Sequence, residues 1–314
     1  RLDVMKASSP RDEAPVDPRL RSRLLRGDAG HALYLAGPAT FLLFALLLGP
    51  VVGVIIMSLT NWLLGAKSFE FVGLANYREL FTDSVFWISV GNTLIYVGVV
   101  VPTAIVIALC VAILIESNDS LKRFYRTAYF LPVTGTVVAM AVAWEFILHH
   151  NFGFLNTMLE AAGFEGSNWL NNESTVLMTL AVIGIWLKVG YYMIIFVAGI
   201  NSIPADLYEA AEIDGADSAW DKFTRVTWPM LGPAMLFVLI IATIQSLQVF
   251  ETVAVLTQGG PMRASEVLLY TLYKEGFQFF RIGYASALTV MFLAFILTIT
   301  IIKVRWVEKR VHYA

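Results

Sequence analysis

Of the 314 residues, 58% are hydrophobic and 15% are charged, the formal net charge is −2, and the mean hydropathy is +0.69. That balance excludes an ordinary soluble domain and leaves no basic surface for a nucleic acid. The single cysteine, Cys110, excludes an internal disulfide and a cysteine-based metal cluster, and is read as a small apolar packing residue.

The first 30 residues mix charge with Pro and Ser and lack a hydrophobic period, so residues 1–30 are expected to form a cytoplasmic tail ahead of a transmembrane domain over 31–314. Met5 is a candidate start, and the cluster Arg19, Arg21, Arg23 and Arg26 suits anionic headgroups. A bilayer core of roughly 30 Å needs about 20 residues of helix. Three uncharged windows meet that length: Ala36 to Leu59, Phe86 to Ile115 and Gly283 to Ile302. Three more carry one ionisable group each: Tyr129 to Leu148 with Glu145, Ser174 to Ile203 with Lys188, and Met230 to Thr257 with Glu251. The runs are continuous and rich in Leu, Ala, Val and Ile, whereas a β-barrel would alternate in segments of about 10 residues. The expected fold is all-α, with about six transmembrane helices. The first window is too long for a secretory signal and no A-x-A site follows it, so it is expected to be retained.

Lys and Arg near span ends set orientation. With the N-terminus inside, one side of the membrane receives 16 of them and the other 5, so both termini are expected in the cytoplasm. The stretch "HHNFGFLNTMLEAAGFEGSNWLNNES" holds no Lys or Arg and is placed outside; its adjacent His149 and His150 point in different directions on a helix and make a poor metal site.

By this topology Asn201 to Trp228 is cytoplasmic. Its first part reads as a helix with Pro204 in the first turn and Asp206 and Glu209 near the positive end of the dipole. Leu207, Ala210 and Ala211 share one face. Gly215 stops that helix, and Ser218 with Asp221 starts a second whose apolar face is Trp220, Phe223 and Val226, ending at Pro229. Alanines beside acids suit a groove in another protein, while an amphipathic connector on the membrane fits the same pattern. Six acids against two bases between Asp206 and Leu231 disfavour an anionic leaflet.

The segment "EAAEIDGA" at Glu209 to Ala216, with "IPADLY" before it and "VTWPML" after it, resembles the EAA loop of permease subunits of bacterial ABC importers of the carbohydrate-uptake family. "VGLANY", "LPVTGTVVAMAVAWEF", "GFLNTML", "LTQGGPMRAS" and "GYASAL" extend the resemblance over nearly the whole chain; Val226 and Trp228 depart mildly from the family's usual Ile and Leu. The resemblance implies a type I importer permease in the bacterial inner membrane, with 201–229 as the coupling loop. Glu209, Ala210, Ala211, Asp214 and Gly215 would dock on an ATPase subunit, the glutamate pairing with a basic residue there. It also implies a second, related permease subunit, two ATP-binding subunits and an extracytoplasmic solute-binding protein, with ATP and Mg used by the ATPase and no cofactor on this chain.

No G-x-x-x-x-G-K-[ST] loop, GxSxG elbow or HExxH helix occurs, so the chain itself is not expected to be an enzyme. Ionisable groups at membrane depth cost roughly 2.5–3.5 kcal/mol on insertion scales and require partners or water. Gln245, Gln248 and Glu251 recur at three-residue steps and are expected to line a polar path with Glu145 and Lys188, where Trp144, Trp186 or Tyr192 offer flat faces to a sugar ring. A Glu–Lys pair between spans, or side chains reaching the headgroups, fits Glu145 and Lys188 as well. Lys188 leaves an anionic sugar derivative open. The rival reading is an ion-gradient-driven carrier using Glu145, Lys188 and Glu251 as its relay, but no two halves show matching Gly or Pro interruptions.

Overall fold

In this computed structural model residues 34, 36–117 and 121–308 are described, 306–308 for their backbone only; the tail expected over 1–30 lies outside them. Among the described residues there is no β-strand, only an isolated antiparallel bridge between Thr60 and Phe71. The chain divides into two units at Val54/Ile55. The described part of the first belongs to α1 (Ala36–Met57), an apolar helix with a π-helical turn at Phe44–Leu48. None of its membrane-length window is buried.

The second unit opens with the last residues of α1 and a hairpin that ends in α2 (Ala75–Thr82). The asparagine of "VGLANY" holds that hairpin closed, since Asn76 is buried and its Nδ2 donates to the carbonyls of Ser58 and Thr60, both at 2.8 Å. α3 (Ser84–Glu116) starts where the Asp83 side chain accepts from the Val85 amide. Ala104, Ala108 and Ala112 recur at four-residue steps on α3 and are fully buried. Small residues at that spacing form one stripe, which allows the close helix approach that packing within a bilayer requires. α7 (Val176–Asn201) packs against α3, and the largest core joins Tyr192, Met193 and Phe196 of α7 to Val238 and Ala242 of α10 (Gly232–Leu247) and Leu288 and Phe292 of α13 (Ile282–Glu308).

Among the described residues five helices are long and apolar enough to cross a membrane, six if the one bent pair counts as a span. That pair corrects the expectation of one helix over Tyr129 to Leu148: α4 (Lys122–Thr134) and α5 (Val137–Ile147) meet at 99°. The run Thr134-Gly135-Thr136 explains the break. Gly135 is extended, and Thr136 caps α5 by accepting from the Ala139 amide at 3.4 Å. Span five is also broken, since α10 ends at Leu247 and α11 (Glu251–Leu256) starts after a three-residue gap, Gln248 to Phe250. It begins at Gly232 rather than Met230, because the preceding helix runs through Pro229 and breaks at Leu231.

Beyond α5, α6 (Phe154–Ala161) is held by Asn156, which donates to the carbonyls of His150 and Ser167 and accepts from the Ser167 amide and the Trp169 indole. The loop before α12 (Leu268–Tyr273) is fastened to α3: Asn92 donates to the carbonyls of Arg263 and Glu266 at 3.0 and 2.9 Å, and the Leu268 amide donates to Thr93 Oγ1 at 3.0 Å. Beneath it Glu266, 1% exposed, accepts from Lys274 at 3.2 Å and from Thr271 at 2.9 Å. Removing one partner of a buried pair leaves an uncompensated charge. Glu266→Ala should therefore destabilise the protein by about 3–5 kcal/mol, and Glu266→Leu with Lys274→Met should recover part of that loss. Thermal unfolding of the purified protein reads this; an unchanged midpoint in Glu266→Ala would show that the pair contributes nothing.

Candidate functional site

A cavity of about 370 Å³ opens where the two broken spans face α7 and α3. Pro132, Val133, Gly135 and Val137 come from the α4–α5 break, and Gln245, Gln248, Val249, Glu251 and Thr252 from the α10–α11 break. α7 supplies Gly184, Leu187, Lys188 and Tyr191, and α3 supplies Tyr96. Backbone that leaves a helix at membrane depth is tolerated only where protein buries it or a water-filled cavity receives it. Both breaks satisfy that rule at the same cavity.

Its polar centre is the amide of Gln245, whose Oε1 accepts from Lys188 Nζ at 3.1 Å and from Tyr192 Oη at 3.2 Å. Tyr192 is fully buried, so it serves as a buried donor behind Gln245 and offers no free ring face. Lys188 makes no ion pair among the described residues; Glu251 lines the same cavity, giving it one basic and one acidic side chain.

Four expectations change. Gln245, Gln248 and Glu251 do not share one continuous helical face, because the helix breaks at Gln248; they converge on the cavity through that break. Glu145 is exposed on α5 and does not line the cavity. Trp144 and Trp186 pack edge to face, with centroids 5.5 Å apart at 80°. Trp186 belongs to a separate, apolar cavity of about 410 Å³ with Tyr129, Val182 and Val189. Reading the sequence missed Tyr96, Gly184 and Thr252, since uncharged residues inside apolar windows give hydropathy nothing to flag.

The second candidate site is the corner between α7 and α10. α8 (Ala205–Ile213) starts after Pro204, which takes the capping position rather than the first turn. Asp214 closes it, and Gly215 has a φ of 81°, a left-handed conformation that side chains resist. α9 (Ala219–Lys222) follows, capped by Ser218, which accepts from the Asp221 amide at 3.0 Å. The Ser218 hydroxyl also donates to the Asp221 carboxylate, holding that carboxyl below its ordinary range, so the cap weakens as pH falls through the lowered value. α9 continues through a π-helical turn, Phe223–Thr227, to Met230. Of the expected apolar face, Val226 is buried while Trp220 stays 70% exposed. Tyr208 and Thr227 share a hydrogen bond of 2.9 Å, and Lys222 pairs with Glu212, so the two arms are tied. Glu209, Ala210, Asp214 and Gly215 are exposed, Ala211 is half-buried, and Ile213 is 88% exposed at the tip.

Apolar spans, an internal polar cavity and an exposed helix–glycine–helix corner joining two cavity-lining helices define a membrane transport component. The chain belongs to the family described as binding-protein-dependent transport system inner membrane component, which matches residues 89–313. It is 34% identical over 281 residues to the probable ABC transporter permease protein YurN of Bacillus subtilis, covering 87% of this chain and 94% of that one. The sn-glycerol-3-phosphate transport system permease protein UgpA of Yersinia enterocolitica is 30% identical over 249 residues, covering 78% and 83%. SmoG of Agrobacterium fabrum, a sulfoquinovosyl glycerol transport system permease protein, is 29% identical over 294 residues, covering 93% and 95%. The fold is shared with a chain of a bacterial ABC transporter involved in the import of the acidic polysaccharide alginate, with a TM-score of 0.79 at 24% identity over 93% of this chain and 99% of that one.

A charge-assisted hydrogen bond contributes about 1.5–3 kcal/mol, and removing both partners costs less than stranding one. Gln245→Leu should thus lower stability by about 2 kcal/mol, and adding Lys188→Met should cost less than the two single losses together. Thermal melts of the four proteins decide it; strictly additive losses would dissolve the pair.

Proposed function

We propose that this chain is one of two related permease subunits of an ATP-driven, binding-protein-dependent importer for a sugar, polyol or sugar derivative. It sits in the inner membrane with both termini in the cytoplasm. Two ATP-binding subunits hydrolyse ATP with Mg, and an extracytoplasmic solute-binding protein delivers the solute. The observation that carries this reading is the corner at Glu209 to Gly215. Its acids and Ala210 are exposed, its turn needs the left-handed glycine, and its own internal bonds tie the two arms without using Glu209.

The mechanism follows from connectivity. The corner is the direct covalent link between α7, which carries Lys188, and α10, which carries Gln245. A rigid corner pushed by a closing ATPase dimer displaces both helices together, and the breaks beside the cavity absorb the motion. Glu209 supplies the charge that pairs with a basic residue of the ATPase, and Gly215 sets the angle between the arms. Names of relatives speak for sugars and sugar derivatives, including anionic ones. The family, being binding-protein-dependent, favours this reading over an ion-gradient-driven carrier.

Co-purification of the tagged chain with its operon partners tests the reading. Wild type should retain an ATPase subunit, while Glu209→Lys and Gly215→Asp should lose it or lose transport at least tenfold. Wild-type levels of both in the two variants would remove the corner from coupling.

A further inference from the structure

Three buried side-chain polar atoms have no hydrogen-bond partner among the described residues: Arg126 Nε, Ser246 Oγ and Thr252 Oγ1. Of these residues only Thr252, 4% exposed, lines the polar cavity. A buried hydroxyl without a partner forfeits the water it left behind, so its persistence on a cavity wall points to a bond made only when the cavity is filled. A second hydroxyl stands on the same wall. Tyr96 is 3% exposed, lines the cavity, and makes no hydrogen bond among the described residues.

Tyr96 is held there by an absence of side chain opposite. A Cβ built on Gly184 would lie 2.0 Å from Tyr96 Oη and 3.0 Å from Cζ, so the phenol tip occupies the space that any other residue at 184 would take. Beside it, Lys188 gives one of its three N–H groups to Gln245, and the Tyr192 hydroxyl donates to the same oxygen. The wall thus offers two hydroxyls with no partner among the described residues, beside one basic and one acidic side chain, Lys188 and Glu251, whose formal charges sum to zero. A hydroxyl both donates and accepts, which matches a hydroxyl on a solute better than it matches a phosphate or sulfonate.

We propose that Tyr96 and Thr252, with Gly184 positioning Tyr96, form the hydroxyl-reading pair that selects a neutral polyhydroxylated solute in transit. The inference rests on the transport reading above and narrows its solute class. A site built to bond a hydroxyl rejects an analogue lacking it, because the site's own groups are then left unpaired. Tyr96→Phe and Thr252→Val remove the hydroxyls while keeping shape. Gly184→Ala should act like Tyr96→Phe, and the two hydroxyl deletions keep the test open if the alanine variant fails to fold.

The experiment uses the complete transporter in proteoliposomes with saturating binding protein. Its radiolabelled probes are hexoses, disaccharides, alditols and sn-glycerol 3-phosphate, and the readout is solute taken up per ATP hydrolysed. We expect a neutral probe to be carried, each hydroxyl deletion to lower its uptake per ATP about fivefold, and discrimination against the monodeoxy analogue to vanish in at least one variant. Binding-protein-stimulated ATP hydrolysis should persist. If a neutral probe is carried and both deletions behave as wild type, the pair is overturned while the transport reading stands. If only sn-glycerol 3-phosphate is carried, the neutral solute class is overturned. If wild type carries no probe at all, the transport reading for sugars fails and the inference with it.

Discussion

Inside a bilayer, a backbone amide or carbonyl that leaves a helix has no water to turn to, and the architecture follows from where the chain breaks that rule. Within its apolar windows it does so twice, in a 99° bend at Gly135–Thr136 and in a gentler interruption at Gln248–Phe250, and both border one polar cavity. Irregular backbone and cavity account for each other: the cavity receives the groups the helices cannot satisfy, and the breaks bring Gln248, Glu251 and Thr252 to its wall.

Energetically, the protein separates apolar adhesion from polar function. The α3–α7–α10–α13 core is built of small and branched apolar side chains, with Ala104, Ala108 and Ala112 letting the backbones approach. Fixed polar pairs are kept at the ends: Glu266 with Lys274 under the loop before α12, and Glu116 with Lys122 and Arg126 where α3 meets α4. Between them, the cavity holds Lys188, Gln245, Gln248 and Glu251. The corner is the covalent link between α7 and α10, which carry Lys188 and Gln245.

Much of this was legible in the sequence. Window hydropathy located five of the spans within three residues, because bilayer thickness imposes length on any helix that crosses. The turn of the corner was legible in Gly215, Ser218 and Asp221, each with a local conformational reason to stand where it does, while Pro204 caps α8 and Trp220 stays exposed against expectation. The break at Gly135 had a local sign in Thr-Gly-Thr, but the apolar window around it averaged that sign away. The break at Gln248-Val249-Phe250 holds neither Gly nor Pro; it depends on packing against α5 and α7, which no local pattern reports. Glu145 misled because a carboxylate in an apolar window resembles a path residue, whereas the 99° bend carries it to an exposed face. Asn76, Asn92 and Asn156 went unnoticed for a related reason: their partners are carbonyls distant in sequence.

The central claim is that the two breaks face water and solute rather than lipid. Cysteine accessibility in native membranes tests it most directly: in a Cys110→Ala background of the assembled transporter, Val137→Cys and Gln248→Cys are exposed to a charged, membrane-impermeant methanethiosulfonate, alongside Val106→Cys on the exposed apolar flank of α3. The account predicts modification at 137 and 248 that depends on the transport state, with 106 unreactive throughout. Unreactive cysteines at 137 and 248 in every state, or equal reactivity at all three positions, would contradict it.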